Sequence, residues 1–292
     1  MDRLVFLLSS GLARGAVLAL FALSLVIVWR SARVVNFAQA AMAVAAVYVA
    51  FALTAASGSY WLGLLGALAA GALFGALVER GPLRFVPTDD PLPGMIVAIG
   101  LVMVVQAGLA IGFGPEHRPM DAPFSERPFT VAGIPVLSPY EVFVLVVAAA
   151  VMGALALLFG RTRLGLKLRA AAFAPETSRL RGVRVPRMVT VGWMLSVATA
   201  ALAALLLVPT ELGLSPHAAD LLFVDAFAVA VVGGLDSPVG ALAAGLLIGV
   251  LDSLVTGYAS AAAAPLAVLA VLTLVLLVRP RGIFAARERR AG

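Results

Sequence analysis

Long apolar stretches are the feature that most limits what this chain can fold into. One runs from Leu4 to Trp29, and others of roughly bilayer-spanning length lie near 36–56, 60–78, 94–113, 138–160, 188–209, 238–258 and 264–279. Hydrophobic residues make up 62% of the chain and charged residues only 12%, against about 25% charged residues in soluble domains. The chain is therefore predicted to be a membrane protein and not a soluble enzyme, a fibrous protein or a disordered chain.

These stretches are predicted to be helices. They lack the alternation of barrel strands, and the bilayer core admits only helices or closed barrels. Spacings of two small residues four positions apart, which let helix backbones approach, occur at Gly11/Gly15, Gly71/Gly75, Gly108/Gly112 and Gly245/Gly249. We expect residues 1–292 to form a single transmembrane domain, an all-α bundle of about eight or nine helices. One of them, 221–232, is short or broken.

Basic residues give the expected orientation. The segment 161–187 carries eight of them against one acid, and the end of the chain from Arg279 onward carries five. Because cytoplasmic loops are enriched in Lys and Arg, this segment and the tail 280–292 are both expected in the cytoplasm. They share a side only if 221–232 crosses the membrane, which gives nine crossings, an external N-terminus and a cytoplasmic C-terminus. The net charge of +6 then signals topology and does not indicate nucleic-acid binding.

A dense set of helix start and stop signals lies within the basic segment. Pro175 suits a first helical position, Glu176 the N-terminal dipole, Arg179 the C-terminal end, and Gly182 a left-handed cap. The predicted two-turn helix is about 10 Å long and too short to be stable alone, so it should dock on another surface. That surface is either lipid and the helix's own bundle or a partner protein, and these residues leave both open.

Short motifs follow one another in a defined order along nearly the whole chain. They are Gly11-Leu12 to Gly15-Ala16, Val35-Asn36-Phe37-Ala38-Gln39, Glu79-Arg80, Ile99-Gly100-Leu101, Phe113-Gly114-Pro115, Glu176-x5-Gly182, Val232-Gly233-Gly234-Leu235, Ser237-Pro238-Val239-Gly240-Ala241 and Arg279-Pro280-Arg281-Gly282-Ile283-Phe284. Together they resemble the motifs of branched-chain amino acid ABC importer permeases of the LivH type. The spacing Glu176-x5-Gly182 is similar to the EAA-type loop of such importers, a short cytoplasmic helix that sits in a groove of the ATPase subunit. Ala40 and Ala46 replace glycines common in the family, and Asp225 stands where the family often has lysine.

The resemblance implies a multi-pass permease subunit of a bacterial inner membrane that carries branched-chain or related amino acids. The chain has no G-x-x-x-x-G-K-[ST] loop, so ATP and Mg are expected on two separate ATPase subunits, and this chain is not expected to be an enzyme or to hold a cofactor. Other implied partners are a second, related permease chain, an external substrate-binding protein and membrane lipid. The implied coupling residues are Pro175, Glu176, Arg179, Leu180 and Gly182.

Polar residues at the start of the second apolar stretch are candidates for a translocation path or gate. Asn36 and Gln39, with Phe37 between them, lie beside Arg33 where a helix start leaves backbone N–H groups unsatisfied. Asn36 also suits an ordinary helix cap, and the residues do not decide between the two roles.

Two acids lie inside predicted spans, where ionisable side chains are expensive and point to function. Asp225 and Asp252 both fall in the outer half of the membrane, so they are expected near the path, where they can line one cavity. Arg14 lies at a similar depth in the first span and is a candidate charge partner. A purely structural pairing that avoids a bare buried charge is the alternative.

Two other functions fit parts of the sequence. A secondary transporter would be driven by protons through Asp225, Asp252 or Glu211. A membrane scaffold without transport activity would use the basic segment to hold anionic lipid.

Overall fold

A computed structural model describes residues 2–86, 91–131, 134–210, 213–280 and 282–284. This part of the chain contains eleven α-helices: α1 (Asp2–Ala32), α2 (Gln39–Ser57), α3 (Tyr60–Arg80), α4 (Pro91–Phe113), α5 (Pro139–Arg161), α6 (Arg163–Phe173), α7 (Pro175–Leu180), α8 (Val185–Leu207), α9 (Asp220–Gly233), α10 (Pro238–Tyr258) and α11 (Ala264–Val278). Two-residue strands, β1 (Thr130–Val131) and β2 (Ile134–Pro135), pair antiparallel in the loop before α5.

Eight helices among the described residues are long and apolar enough to cross a bilayer, and α9, with 14 residues, is shorter than all of these. The prediction of an all-α polytopic bundle is therefore confirmed. The 14 residues of α9 span about 21 Å at 1.5 Å per residue, less than a bilayer core of about 30 Å.

The short helix α9 leads from one end of the bundle to the other. It begins near the 114–138 loop, where Leu214 bridges to Arg118, and ends beside residues 282–284, where the Ile283 N–H donates to the Val232 carbonyl at 2.9 Å. Its path agrees with the predicted crossing. Which end of the bundle faces the cytoplasm stays a prediction, and 285–292, most of the basic tail, lies outside the described residues.

The helix α1 forms the centre of the bundle, with every residue from Gly15 to Val28 buried. It packs along α10 at glycines: a Cβ added to Gly15 would lie 2.9 Å from the Gly245 carbonyl oxygen. A second close approach joins α3 to α8, where an added Cβ at Gly71 would lie 3.0 Å from the Ala198 Cα. These two helix pairs explain why small residues are needed there.

The expected packing role of Gly108 and Gly112 is not realised among the described residues. A Cβ added to either residue would meet no described atom within 4 Å. Both lie on α4, which is almost entirely on the outside of the bundle, as is α11. These two faces are therefore available to lipid or to another chain.

Candidate functional site

The link between α1 and α2 folds back into the bundle. Gln39, the first residue of α2, donates from Nε2 to Ser24 Oγ at 3.0 Å. Ser24 lies about 12 Å before the end of α1 at 1.5 Å per residue, so α2 begins well inside the depth of α1. Non-helical backbone at such a depth is tolerated only where protein buries it or where it lines a cavity, which makes residues 34–38 a candidate site.

A buried polar network holds this link in place. Asn36 Nδ2 donates to Gln39 Oε1 at 2.6 Å, and Gln39 Nε2 also donates to Ser196 Oγ at 2.9 Å. Ser196 Oγ in turn donates to the Ser24 carbonyl at 2.7 Å. Asn36 and Gln39 are 2% and 0% exposed. The network therefore ties α1, α2 and α8 together at one level of the bundle.

Asn36 does not cap α2 in the ordinary way. The N-cap position is Ala38, which forms no side-chain cap, and Asn36 Oδ1 accepts a hydrogen bond from the Ala38 N–H at 3.1 Å. The side chain closes the turn before the helix and joins the network with its amide nitrogen. The ordinary cap interpretation of Asn36 is therefore wrong, and its role at a path or gate stays a prediction.

Phe37 connects the same link to α9. Its ring lies 6.3 Å from the rings of both Phe223 and Phe227, measured between centroids, and Phe223 also contacts Phe21 of α1 in an edge-to-face pair. Sequence reasoning missed Phe223 and Phe227. Their spacing of four residues on one face of α9 was the available signal.

The expected charge pair forms between α1 and α10. Arg14 Nε lies 2.8 Å from Asp252 Oδ2, and the two side chains are 46% and 10% exposed. Asp252 and Arg14 line a cavity of about 280 Å³ between α1, α5, α8 and α10. Asp225 is half-buried on α9 and is not among the lining residues, so the two acids do not share this cavity. Glu211 lies outside the described residues.

The predicted two-turn helix is present as α7. Pro175 occupies its first turn with Glu176, and Arg179 lies in its last turn. Gly182 adopts a φ of +78°, the left-handed conformation expected of a glycine cap. The Val183 N–H donates to the Ser178 carbonyl and the Gly182 N–H to the Arg179 carbonyl, which is the Schellman pattern of a terminated helix.

One side of α7 rests on the bundle and the other is open. Ser178 is buried, and α7 contacts α6 and α8. Leu180 is 90% exposed and Phe173, at the end of α6, is 87% exposed. These two exposed apolar side chains make this side of α6 and α7 a candidate interaction surface.

Comparisons with known proteins agree with these features. Residues 7–278 match the family model described as "Branched-chain amino acid transport system / permease component". The permease proteins of two high-affinity branched-chain amino acid transport systems are similar over almost their whole length. BraD of Pseudomonas aeruginosa is 30% identical, covering 96% of this chain and 95% of that protein. LivH of Salmonella typhimurium is 27% identical, covering 96% and 94%.

The fold also resembles that of a solved structure. "PsaBC from Streptococcus pneumoniae in complex with Fab" aligns with a TM-score of 0.52 and 12% identity, over 94% of this chain and 92% of that one. At this identity the likeness concerns the fold alone.

Proposed function

The chain belongs to the family of branched-chain amino acid transport system permease components, and on this premise we propose that it is the membrane-spanning subunit of an ATP-driven ABC importer. It is a multi-pass inner-membrane transport subunit and not an enzyme. The observation that carries the finer proposal is the preformed helix α7 with its exposed apolar residue Leu180. The proposed solute is a branched-chain or related amino acid, delivered by an external substrate-binding protein.

In this proposal α7 transmits force from two ATPase subunits, which bind ATP and Mg. Burying a leucine side chain such as Leu180 in a groove contributes about 1.5–3 kcal/mol. Pro175 and Gly182 fix where the helix starts and stops, so a push on it moves the attached helices and is not lost in unwinding. Glu176 and Arg179 provide charges of opposite sign for orientation in the groove.

The proposed gate is the link at Asn36, Phe37 and Gln39. Its hydrogen bonds join three helices, and each such bond within a membrane contributes about 0.6 kcal/mol on average. Shifting a two-state equilibrium from about 1:99 to about 99:1 takes about 5.5 kcal/mol of differential binding free energy. The network therefore biases one state but is weak enough for ATP binding on the partner subunits to overcome it. Asp225 and Asp252 are proposed to lie near the path.

A second, related permease chain completes the proposed transporter. The outward faces of α4 and α11 are apolar and little covered by the rest of the described chain. They can therefore contact both the second permease chain and lipid.

The proton-driven alternative is not favoured. The family match points to transport-system permeases, and Asp252, one of the three residues proposed to carry protons, is already engaged in an ion pair with Arg14.

The test is purification of the chain from its native membrane in mild detergent. We expect ATPase subunits and a second permease chain to co-purify, and we expect Leu180→Glu to release the ATPase subunits without preventing membrane insertion. Phe85→Glu is the matched control, because Phe85 is 84% exposed but lies outside the α6–α7 segment. A chain that purifies alone and still supports uptake would contradict the proposal.

A further inference from the structure

Arg33, the residue that follows α1, has a backbone conformation that arginine rarely adopts. Its φ is +57°, and every other positive φ among the described residues belongs to a glycine. The left-handed region crowds a Cβ against the following carbonyl, so a helix that ends this way usually does so at a glycine. The Arg33 N–H donates to the Trp29 carbonyl at 2.8 Å, as at such a helix end. A glycine would close α1 with less strain, so the arginine side chain indicates a further role here.

The Arg33 side chain reaches the turn between α9 and α10. Its Nη1 lies 2.6 Å from Asp236 Oδ1, and its guanidinium carbon lies 5.9 Å from the centre of the Trp29 ring. These contacts orient the side chain. Both members of the ion pair are about half exposed, so water and salt weaken their attraction. The ion pair is therefore formed but easily opened.

The turn that carries Asp236 is held in place from two sides. The Ser237 N–H donates to the Gly234 carbonyl at 2.8 Å, which closes the turn before α10. Gly282, beyond α11, packs so closely on this turn that an added Cβ would lie 2.6 Å from the Gly234 Cα. Asp236 therefore belongs to a fixed part of the bundle, and we expect any separation of the pair to come from movement at Arg33.

Further arginines lie around the ion pair. Arg30 of α1 interacts electrostatically with both members of the pair, and also with Arg169 of α6. These four side chains carry three positive charges and one negative charge. Without Asp236 the three arginines only repel one another. Asp236 therefore attracts Arg30 as well as Arg33, and the arrangement of the cluster depends on this acid.

The link between α1 and α2 runs from this ion pair into the bundle beside α9. Arg33 is exposed at its start and Asn36 is buried, while Phe37 contacts the aromatic rings of α9. From residue 33 to residue 37 an extended chain spans at most about 14 Å, and α9 covers about 9 Å from Phe227 to Gly233 at 1.5 Å per residue. The link is thus attached at one end to α9 and at the other to the turn that follows α9.

We propose that Arg33 is a hinge of the proposed gate and that its ion pair with Asp236 holds this hinge closed. While the pair is formed, the side chain keeps the backbone of Arg33 left-handed and the link lies against α9. When the pair opens, φ of Arg33 returns to the negative values that arginine favours, and the link moves away from α9. Residues at the ends of helices commonly absorb such dihedral changes. This inference rests on the proposed function and makes Arg33 and Asp236 positioning residues of the gate.

The first test follows the protection of the link. The chain has no cysteine, so Ala38→Cys places a unique thiol where the parent side chain is 1% exposed. The rate of its alkylation by a maleimide is measured on the purified full chain in lipid nanodiscs. Exposed ion pairs contribute little, so we expect Arg33→Gly to speed alkylation about two- to fivefold. Glycine adopts the left-handed conformation without strain, so an unchanged or slower rate would show that Arg33 only ends α1 and would overturn the proposal.

A double-mutant cycle tests whether the two residues act together. Asp236→Asn removes the attraction for both Arg30 and Arg33, so its effect should be at least that of Arg33→Gly. The double variant should match Asp236→Asn alone, because both changes open one ion pair, and effects that add would overturn the proposal. High salt should speed alkylation with Asp236 present but not in Asp236→Asn. Arg84→Gly is the matched control, because it removes an exposed arginine between α3 and α4, and it should leave the rate unchanged.

Cross-linking tests whether the ion pair opens during transport. A bis-methanethiosulfonate reagent joins the thiols of R33C/D236C and is removed by reductant. We expect cross-linking to lower ATP-driven leucine uptake at least several-fold in proteoliposomes that contain the co-purified ATPase subunits, and reduction to restore it. S10C/S253C is the matched control and should keep its uptake, because the parent hydroxyls lie 3.4 Å apart where α1 packs closely on α10.

The hinge and the proposed function fail in different ways. Undiminished ATP-driven uptake by cross-linked R33C/D236C would remove the hinge and leave the proposed function standing. Alkylation that depends on Arg33, Asp236 and salt, in a chain that shows no ATP-driven uptake before cross-linking, would leave the ion pair as a lock on the link and remove the proposed function.

Discussion

Replacing Gln39 tests whether the buried network holds the start of α2 inside the bundle. Its side chain accepts one hydrogen bond from Asn36 and donates one each to Ser24 and Ser196. Gln39→Leu removes all three. At about 0.6 kcal/mol for each hydrogen bond in a membrane, the free energy of unfolding should fall by about 2 kcal/mol. The measurement is reversible unfolding of the purified chain in mixed detergent micelles.

Gln39→Glu is the sharper variant because it keeps the shape of the side chain. The Ser24 and Ser196 hydroxyls donate to the carbonyls of Phe21 and Ser24, so they can only accept from residue 39. A carboxylate there would face two acceptor oxygens and keep only the Asn36 Nδ2 donor, so most of its buried charge would be uncompensated. Gln39→Glu should therefore cost more than Gln39→Leu.

Gln106→Leu is the matched control for the network. Gln106 is half-buried and donates to Asp220, so its replacement should cost less than that of Gln39. A Gln39→Glu chain as stable as wild type, or a Gln39→Leu chain no less stable than Gln106→Leu, would show that the network does not hold the start of α2.

Three further outcomes are expected. Gly15→Leu should abolish the folded bundle, because a Cβ at this position would lie 2.9 Å from α10 backbone. Gly108→Leu is the control and should remain folded, because an added Cβ there meets no described atom within 4 Å. Size-exclusion chromatography of the two variants distinguishes folded from unfolded chains. Gly182 has a φ of +78°, which proline cannot adopt, so Gly182→Pro should reduce uptake per ATP hydrolysed at least several-fold. Gly58→Pro breaks a helix cap with a φ of +67° at the other end of the bundle and should leave uptake per ATP hydrolysed unchanged. Asp225→Asn should change the rate of uptake while the melting temperature stays near that of wild type, and a wild-type rate would remove this residue from the path.

Sequence patterns predict the helices well because each span must satisfy its own backbone within the bilayer. The terminal signals of α7 are equally local, so Pro175 and Gly182 were correctly placed. The depth of the α2 start was not predictable, because it depends on the distant partners Ser24 and Ser196. Likewise, the spacing of Gly108 and Gly112 resembles that of Gly245 and Gly249, and only the three-dimensional arrangement shows which pair meets another helix of this chain.

The ion pair of Arg14 and Asp252 could also be predicted only in part from the sequence. Burying an unpaired charge costs free energy, which predicts that Arg14 forms an ion pair with an acid, and the ion pair with Asp252 is present. This free-energy cost does not indicate which acid pairs with Arg14, because Asp225 is predicted at a similar depth. The ion pair with Asp252 follows from the close glycine-mediated packing of α1 on α10.

Uptake of L-leucine into proteoliposomes that contain this chain and its co-purified partners tests whether the chain is part of an ATP-driven importer. We expect uptake that requires ATP hydrolysis and the external binding protein, and that persists when an ionophore removes the proton gradient. Uptake by this chain alone, without ATP, that collapses with the ionophore would contradict it.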